Sequence, residues 1–223
     1  MNIVVLAGGL STERDVSLNT GSMVSKALRS KGHNVIMLDV FMGYHDEEED
    51  ITGIFDRAKE ASADVTQIPG EAPNIAQVKA MRKDQSDCFF GPNVIKICQA
   101  ADVVFMALHG ENGENGKIQA AFDLFGIQYT GSRYLGSALA MDKGISKKMF
   151  EAAGIPTPHG ISMSKAQRST PFAETGLSLP CVVKPCCGGS SIGVTIVRTA
   201  DEYEAALDEA FKYEDEIVIE DYI

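Results

Sequence analysis

The most informative stretch of the chain runs from Val182 to Val194 and reads VVKPCCGGSSIGV. The apolar residues at 181–183 and 194–197 have the length and the Gly and Pro boundaries of buried strands. The glycines between them allow sharp turns and a close approach of the backbone to a ligand. Lys184 adds a positive charge beside amides that can surround a phosphate. The stretch therefore predicts two strands joined by a phosphate-binding loop, and an ordinary hairpin loop is the alternative.

This loop differs from the two common nucleotide-binding motifs. Its lysine precedes the glycines, unlike G-x-x-x-x-G-K-[ST], and it lacks the spacing of G-x-G-x-x-G. The adjacent thiols Cys186 and Cys187 suggest a zinc or redox pair. Their spacing is not that of usual zinc ligands, and the sequence has no second pair nearby, so we predict no metal site. Five cysteines without a recognisable framework indicate a reducing environment rather than disulfides.

Composition and charge exclude several classes of protein. The chain has 223 residues, of which 44% are hydrophobic and 23% charged, as in one or two globular domains. A formal charge of −11 argues against nonspecific nucleic-acid binding, which requires positive charge. Apolar runs stay well below the roughly 18 residues of a membrane span. Residues 1–4 begin as a strand without a basic region, so we expect no signal peptide and a cytoplasmic location.

The N-terminal region has the pattern of a βαβ unit. A strand is predicted over Asn2–Ala7, a helix over about Asp15–Lys31 and a second strand over Val35–Leu38, which together imply a parallel sheet. The helix is expected to turn one apolar face inward, formed by Val16, Thr20, Met23, Val24, Ala27 and Leu28.

A third buried strand is predicted over Val103–Leu108 and ends at His109-Gly110. A helix at Lys117–Phe125 and a short strand at Ile127–Thr130 follow. In open α/β sheets, ligands bind at the carboxyl ends of the strands. Gly8-Gly9, after the first strand, and His109-Gly110 both occupy such ends, so we expect a binding site there.

The pattern changes in the last third of the chain. A helix in two pieces is predicted over Leu135–Ala153, with the junction near Asp142-Lys143. After a linker at Gly154–Pro158, the predicted order is strand, helix, strand, loop, strand, helix and strand. Thr199–Glu202 has the form of a capping box before the last helix. Glu216–Ile219 is the final strand, and the region reads as an α+β module.

Several single residues stand where chemistry is plausible, each with a structural alternative. Glu13 either complements a helix N-terminus or binds a substrate ammonium group. His109 is either a core histidine or a ligand contact, and Lys143 is either a surface lysine or an anion contact. Lys184 lies within an apolar strand, so its ammonium group either reaches solvent or pairs with an anion. Glu220, at the end of an apolar strand, suggests a polar contact at the rim of a ligand site.

Taken in order, these segments resemble D-alanine–D-alanine ligases of the ATP-grasp superfamily. The matching segments are Gly8–Leu18, Ala107–Gly110, Gly113–Gly116, Tyr129–Ser132, Ser137–Lys143, Val183–Pro185, Gly189–Gly193 and Val218–Glu220. The resemblance implies an α/β protein with a Rossmann-like parallel-sheet domain over 1–140 and a central α+β ATP-grasp subdomain over 141–223. The stretch 42–98 carries no motif of the family.

The resemblance implies an ATP-dependent ligase that joins two D-alanines for peptidoglycan precursor synthesis. Such enzymes transfer the γ-phosphoryl group of ATP to the first carboxylate, and the second amine attacks the acyl phosphate. Catalysis then depends on positioning and charge neutralisation. A ligase that joins D-alanine to D-lactate or D-serine is the alternative. A dinucleotide-binding oxidoreductase is more remote, since Gly8-Gly9 lacks a third glycine and Asp39 is only a partial match to the ribose-binding acid.

For ATP, the resemblance assigns phosphate contacts to Lys143 and Lys184. It places the loop residues Gly189, Ser190 and Ser191 over the phosphates, with Ser190 beside the transferred phosphoryl group. These roles follow from the matching motifs and not from the spacing of the residues.

For the other ligand groups, the resemblance gives Glu13 a catalytic and binding role at the ammonium group of the first D-alanine. His109 would lie near the carboxylate of that D-alanine. Glu220 would accept a hydrogen bond from the adenine amino group, and Ile223 would line the adenine pocket. Relatives commonly have lysine where this chain has Asp221, a departure that weakens the expected adenine-side contacts.

The family also uses Mg²⁺, bound by acidic and asparagine residues of a C-terminal ATP-grasp part that this sequence does not contain. An arginine and the loop that selects the second substrate belong to the same part. We therefore expect the 223 residues alone to lack ligase activity and to bind ATP weakly at most. The family's usual homodimer through the first domain is a further expectation.

Overall fold

The computed structural model describes residues 1–44, 50–57, 73–189 and 191–223. The chain divides into two compact units, Met1–Tyr134 and Leu135–Ile223. The predicted boundary between residues 140 and 141 falls inside the helix Tyr134–Met141. None of the described helices combines the length and the apolar character needed to cross a membrane.

The first unit contains a parallel sheet of three strands in the order β2-β1-β3. The strands are β1 (Asn2–Ala7), β2 (Asn34–Asp39) and β3 (Val103–Met106). Side chains of central β1 alternate between two buried clusters, with Val4 in one and Val5 in the other. The sheet is therefore covered on both faces, as is typical of parallel strands, and the predicted parallel sheet is confirmed.

Five helices of this unit lie within the described residues. They are α1 (Arg14–Ser30), α2 (Ile54–Arg57), α3 (Ile75–Met81), α4 (Val94–Ala100) and α5 (Lys117–Phe125). Helices α1 and α5 confirm the two that were predicted here. The strand predicted at 127–130 is reduced to a single parallel bridge between Val104 and Tyr129. The extended backbone ends there because Gly131 adopts a positive φ of 103°.

The buried face of α1 matches the predicted apolar face only in part, at Val24 and Leu28, which pack against the core of the sheet. Val16 and Met23 are 37% and 60% exposed, whereas the buried residues of the helix are Ser17, Gly21, Ser22 and Ser25. A Cβ atom at Gly21 would lie only 2.8 Å from the Cβ of Ala7 in β1. At Gly21 the helix approaches the sheet so closely that only a small side chain fits, so size as well as hydrophobicity determines which residues of α1 turn inward.

The second unit begins with the helical pair that the sequence predicts. Helix α6 (Tyr134–Met141) and helix α7 (Lys143–Ala152) meet at Asp142. The Asp142 carboxylate caps α7 by accepting a hydrogen bond of 2.8 Å from the backbone N–H of Ile145.

An antiparallel sheet of four strands follows, in the order β4-β7-β5-β6. The strands are β4 (Gly160–Ser164), β5 (Cys181–Pro185), β6 (Thr195–Val197) and β7 (Glu216–Asp221). Two single-turn 3-10 helices, Lys165–Gln167 and Phe172–Glu174, replace the helix predicted between β4 and β5. Pro171 stands between them, and a proline without an N–H interrupts a continuous helix.

One face of this sheet packs on helix α8 (Tyr203–Ala210). The capping box of Thr199 and Glu202 is present before the helix. Tyr203, Leu207, Ala210 and Phe211 are buried, as predicted. The core of the second unit therefore lies between α8 and one face of the sheet, and the other face is available for polar side chains.

Candidate functional site

The polar side chains of the second unit gather on the sheet face opposite α8. Directly paired residues in a sheet share a face, and β5 and β7 pair Val182 with Glu220 and Lys184 with Val218. Ser162 of β4 also pairs with Val218 and so belongs to this face. The Lys184 ammonium group donates a hydrogen bond to Glu220 Oε1 within this surface. The structure thus brings together two residues to which the sequence assigned a nucleotide role.

Lys147 of α7 is a third member of this group, and the sequence reasoning missed it. Its ammonium nitrogen lies 3.0 Å from Glu220 Oε2 and donates hydrogen bonds to Thr157 Oγ1, at 3.3 Å, and to the carbonyl oxygen of Pro158. The side chain of Lys147 is only 7% exposed. Its position one helical turn after Lys143 was the available signal, because residues four apart share a helix face.

Glu220 is held in its charged form by this arrangement. Burial acts to raise the pKa of the Glu220 carboxyl, but the hydrogen bonds from Lys184 and then Lys147 outweigh burial, so the pKa is lowered. An ionised carboxylate only accepts hydrogen bonds. Glu220 therefore presents acceptor oxygens at the end of β7, in a largely buried setting with 14% of its side chain exposed.

Lys143 lies at the start of the predicted phosphate loop. Its Nζ donates hydrogen bonds of 3.2 Å to the Cys186 carbonyl oxygen and 2.6 Å to the Gly188 carbonyl oxygen. Its backbone N–H donates a further bond of 3.0 Å to the Cys186 carbonyl. Cys186 directly follows β5, the strand that contains Lys184. Lys143, which bonds to Cys186, therefore lies at the same end of β5 as Lys184.

The loop beyond Gly188 is open to solvent where it is described. Gly189 and Ser191 are exposed, and Ser190 lies outside the described residues. Ile223, predicted to line an adenine pocket, is 91% exposed. Gly193 has a positive φ of 70°, and a Cβ there would lie 2.7 Å from the ring of Tyr213. The turn that returns the chain to β6 therefore requires glycine.

In the first unit, the ends of β1 and β3 bring Glu13 and His109 to one place. The Ser11 hydroxyl donates a hydrogen bond of 2.7 Å to the His109 carbonyl and accepts one of 3.2 Å from the Glu13 N–H. A Cβ at Gly110 would lie 2.9 Å from Glu13 Oε2, so the carboxylate stands directly beside this glycine. Thr20 Oγ1 lies 3.1 Å from His109 Nε2. The Glu13 carboxylate thus lies beside the backbone that follows His109 at the carboxyl end of the sheet, and the His109 ring contacts Thr20.

Asp39, the partial match to a ribose-binding acid, is engaged by its own protein. One oxygen lies 2.5 Å from Arg14 Nη2, and the other accepts backbone hydrogen bonds of 2.9 Å from Phe41 and 3.0 Å from Met42. Arg14 also donates a bond of 2.8 Å to the Gly9 carbonyl. Asp39 therefore shapes the glycine turn after β1, which counts against the dinucleotide-binding alternative.

Two protein-family models match the chain. The model described as D-ala D-ala ligase N-terminus matches residues 2–132, and that described as D-ala D-ala ligase C-terminus matches residues 149–223.

Among curated proteins, the D-alanine–D-alanine ligase of Lacticaseibacillus casei strain BL23 is 41% identical over 222 residues, covering 100% of this chain and 61% of the relative. The D-alanine–D-alanine ligase of Pediococcus pentosaceus is 43% identical over 224 residues, covering 100% of this chain and 63% of the relative. The chain thus spans about three fifths of the length of these relatives.

Among solved structures, the D-alanine–D-alanine ligase from Bacillus anthracis complexed with ATP is similar, with a TM-score of 0.65 and 28% identity. The match covers 100% of this chain and 59% of that structure's chain.

Proposed function

The chain belongs to the D-alanine–D-alanine ligase family, and we propose that it takes part in the ATP-dependent ligation of two D-alanines for peptidoglycan precursor synthesis in the cytoplasm. The γ-phosphoryl group of ATP passes to the carboxylate of the first D-alanine. The amine of the second D-alanine then attacks the acyl carbon, and inorganic phosphate leaves. The second unit is proposed to bind ATP, and the first unit to bind the first D-alanine.

The proposal that the second unit binds ATP rests on the group of Lys147, Lys184 and Glu220. The ionised Glu220 suits acceptance of a hydrogen bond from the adenine amino group, because its oxygens are fixed by two ammonium groups. Lys184 and Lys143 provide positive charge at the end of β5 for the phosphates, where charge neutralisation assists phosphoryl transfer. Gly189, Ser190 and Ser191 are proposed to cover them, and Ile223 to line the adenine pocket.

Glu13 and His109 carry the amino-acid part of the proposal. A carboxylate fits the ammonium group of D-alanine, and Glu13 stands beside Gly110, where no side chain separates it from a small ligand. His109 is proposed to contact the substrate carboxylate, with its ring oriented through Thr20.

Mg²⁺ serves this family, and the described residues offer no fitting site for it. Mg²⁺ requires oxygen ligands in octahedral geometry. The single group of candidate metal ligands in the described part of the chain contains two thiols, and thiolates select other metals. We therefore assign no step to a magnesium ligand of these residues.

Ligand-observed NMR tests the nucleotide proposal, since saturation transfer detects weak binding. Mg-ATP should receive saturation from the chain, and Lys184→Met and Lys143→Met should each reduce the transfer severalfold. Lys148→Met is the matched control, because Lys148 is exposed on the same helix as Lys143. Equal transfer in all four proteins, or transfer to NAD in place of ATP, would refute ATP binding at this surface.

A D-alanine titration tests the first unit separately. Glu13→Gln keeps the shape of the side chain and removes its charge, so binding of D-alanine, followed by NMR shifts of the residues around Gly110, should weaken at least tenfold. Unchanged affinity in this variant would exclude Glu13 as the ammonium anchor. The choice of D-alanine over D-lactate or D-serine as second substrate rests on the names of the curated relatives, and a product assay on a protein that includes the C-terminal ATP-grasp part decides it.

A further inference from the structure

Two cysteines and one aspartate of the second unit form a compact group that the proposed ligase chemistry does not use. Ligand atoms of Asp142, Cys186 and Cys187 all lie within 4.8 Å of one another. The Cys186 thiol donates a hydrogen bond of 3.1 Å to Asp142 Oδ1. The sequence argued against a metal here because adjacent cysteines had no partner ligand nearby. Folding supplies that ligand from the junction of α6 and α7.

We propose that Asp142, Cys186 and Cys187 form a binding site for one thiophilic divalent cation of the Zn²⁺ class. Two sulfur ligands and one oxygen ligand suit Zn²⁺, and the fourth coordination position would be filled by water. The argument for this site uses only these three side chains, and two of them, Cys186 and Cys187, lie in the loop whose following residues are proposed to cover the ATP phosphates.

The distances within the group fit one tetrahedral ion. Bond lengths of about 2.3 Å to sulfur and 2.0–2.2 Å to oxygen place two ligands of the same ion about 3.5–3.8 Å apart. The Cys186–Asp142 contact of 3.1 Å and the 4.8 Å limit of the group bracket that separation.

Three hydrogen bonds fix the backbone of the two cysteines. The Cys186 N–H donates to the Glu216 carbonyl at 3.1 Å, and its carbonyl accepts from the Lys143 N–H at 3.0 Å. The Cys187 N–H donates to Glu214 Oε2 at 2.7 Å. Sites whose ligands are already fixed lose less conformational freedom when the ion binds.

The charge of the loaded site is also accommodated. One divalent cation with two thiolates and one carboxylate carries a net charge of −1. The complex would lie at the N-terminus of α7 and close to the Lys143 side chain, both of which favour a negative group, whereas the Glu214 carboxylate beside Cys187 opposes it.

Metal binding requires thiolates, so binding of the cation at Cys186 and Cys187 forms two metal–sulfur bonds and releases the two thiol protons to solvent.

Cobalt(II) titration of the reduced, purified chain tests the site, because Co²⁺ takes the same ligands as Zn²⁺ and absorbs visibly. We expect one Co²⁺ per chain, a thiolate-to-cobalt charge-transfer band in the near ultraviolet, and displacement of the Co²⁺ by one equivalent of Zn²⁺. Cys187→Ser should remove much of the band and weaken binding by more than about tenfold. Cys187 is exposed, so this substitution leaves the core intact.

Two further variants complete the test. Asp142→Asn retains the acceptor that caps α7 but not the charge, and it should weaken Co²⁺ binding by about 10- to 100-fold while the band remains. Cys88→Ser is the matched control, since Cys88 is an exposed thiol of the first unit. A missing band, a band unchanged in Cys187→Ser, a band lost in Cys88→Ser, or unchanged affinity in Asp142→Asn would each overturn the proposed site.

Discussion

Replacing Lys147 by methionine tests whether the buried charge group stabilises the second unit. Methionine keeps most of the length and the apolar body of the lysine side chain, so the substitution removes mainly the ammonium group. That group contacts Glu220 at 3.0 Å and Thr157 at 3.3 Å, and it also donates to the Pro158 carbonyl. The side chain is 7% exposed, so water cannot readily replace these contacts.

The expected loss follows from these contacts. A hydrogen bond to a charged group contributes about 1.5–3 kcal/mol, and a neutral acceptor left without its donor adds about 1 kcal/mol. Breaking a buried ion pair completely costs about 3–5 kcal/mol. Glu220 keeps Lys184 as a partner, so the upper part of that range does not apply. We expect a loss of about 2–4 kcal/mol in the free energy of opening of the second unit.

Hydrogen exchange of the β7 amides, followed by mass spectrometry, measures this free energy within one unit of the chain. A loss of 2–4 kcal/mol corresponds to exchange that is about 30- to 1,000-fold faster, at 1.36 kcal/mol per factor of ten. Lys148→Met, one residue along α7 and exposed, should change exchange by no more than about twofold. If β7 exchanges equally in Lys147→Met and Lys148→Met, Lys147 does not stabilise Glu220 as argued.

Three further predictions concern stability, measured by urea unfolding with circular dichroism. The folded pKa of Glu220 is lowered, so the stability that ionised Glu220 contributes is present above the unfolded pKa of about 4.3 and is lost as the pH falls through the folded pKa. Below about pH 5, the wild type should therefore lose stability more steeply than Glu220→Gln. Parallel curves of unfolding free energy against pH for the two proteins would contradict this. Gly21→Val should cost about 1–3 kcal/mol because its side chain would collide with Ala7, and an unchanged urea midpoint would show that the helix can shift. Thr199→Ala removes the cap shared with Glu202 and should cost about 1 kcal/mol, a figure that a loss below 0.3 kcal/mol would contradict.

The sequence predicted most of the strands, because continuous apolar runs bounded by glycine and proline are local signals, but the strand predicted at 127–130 is only a bridge at Tyr129. The face of α1 was predicted only in part: Val24 and Leu28 pack on the sheet, whereas Met23 is exposed and the contact with β1 requires a residue as small as Gly21. Local patterns describe which side chains avoid water. They do not describe how closely two elements approach each other.

In the candidate site too, local sequence patterns indicated some residues and missed those that only the folded chain brings together. The sequence indicated Lys184 and Glu220 through their unusual positions in apolar strands, and the sheet register brings them together. Lys147 escaped notice because a lysine on a helix is ordinarily a surface residue. The contact between Asp142 and Cys186 joins residues far apart in the chain, and a single sequence contains no measure of that separation in space.

The sharing of the Glu220 carboxylate by buried Lys147 and partly buried Lys184 affects how the chain encounters anions. Lys147, Lys184 and Glu220 leave one positive charge uncompensated in a chain whose formal charge is −11. A polyanion is therefore repelled at long range and attracted only within the last few ångströms. Mobile ions screen the repulsion beyond about 8 Å at physiological ionic strength but leave the buried attraction nearly intact. Added salt should thus accelerate the arrival of such a ligand, the reverse of what a uniformly basic groove would show.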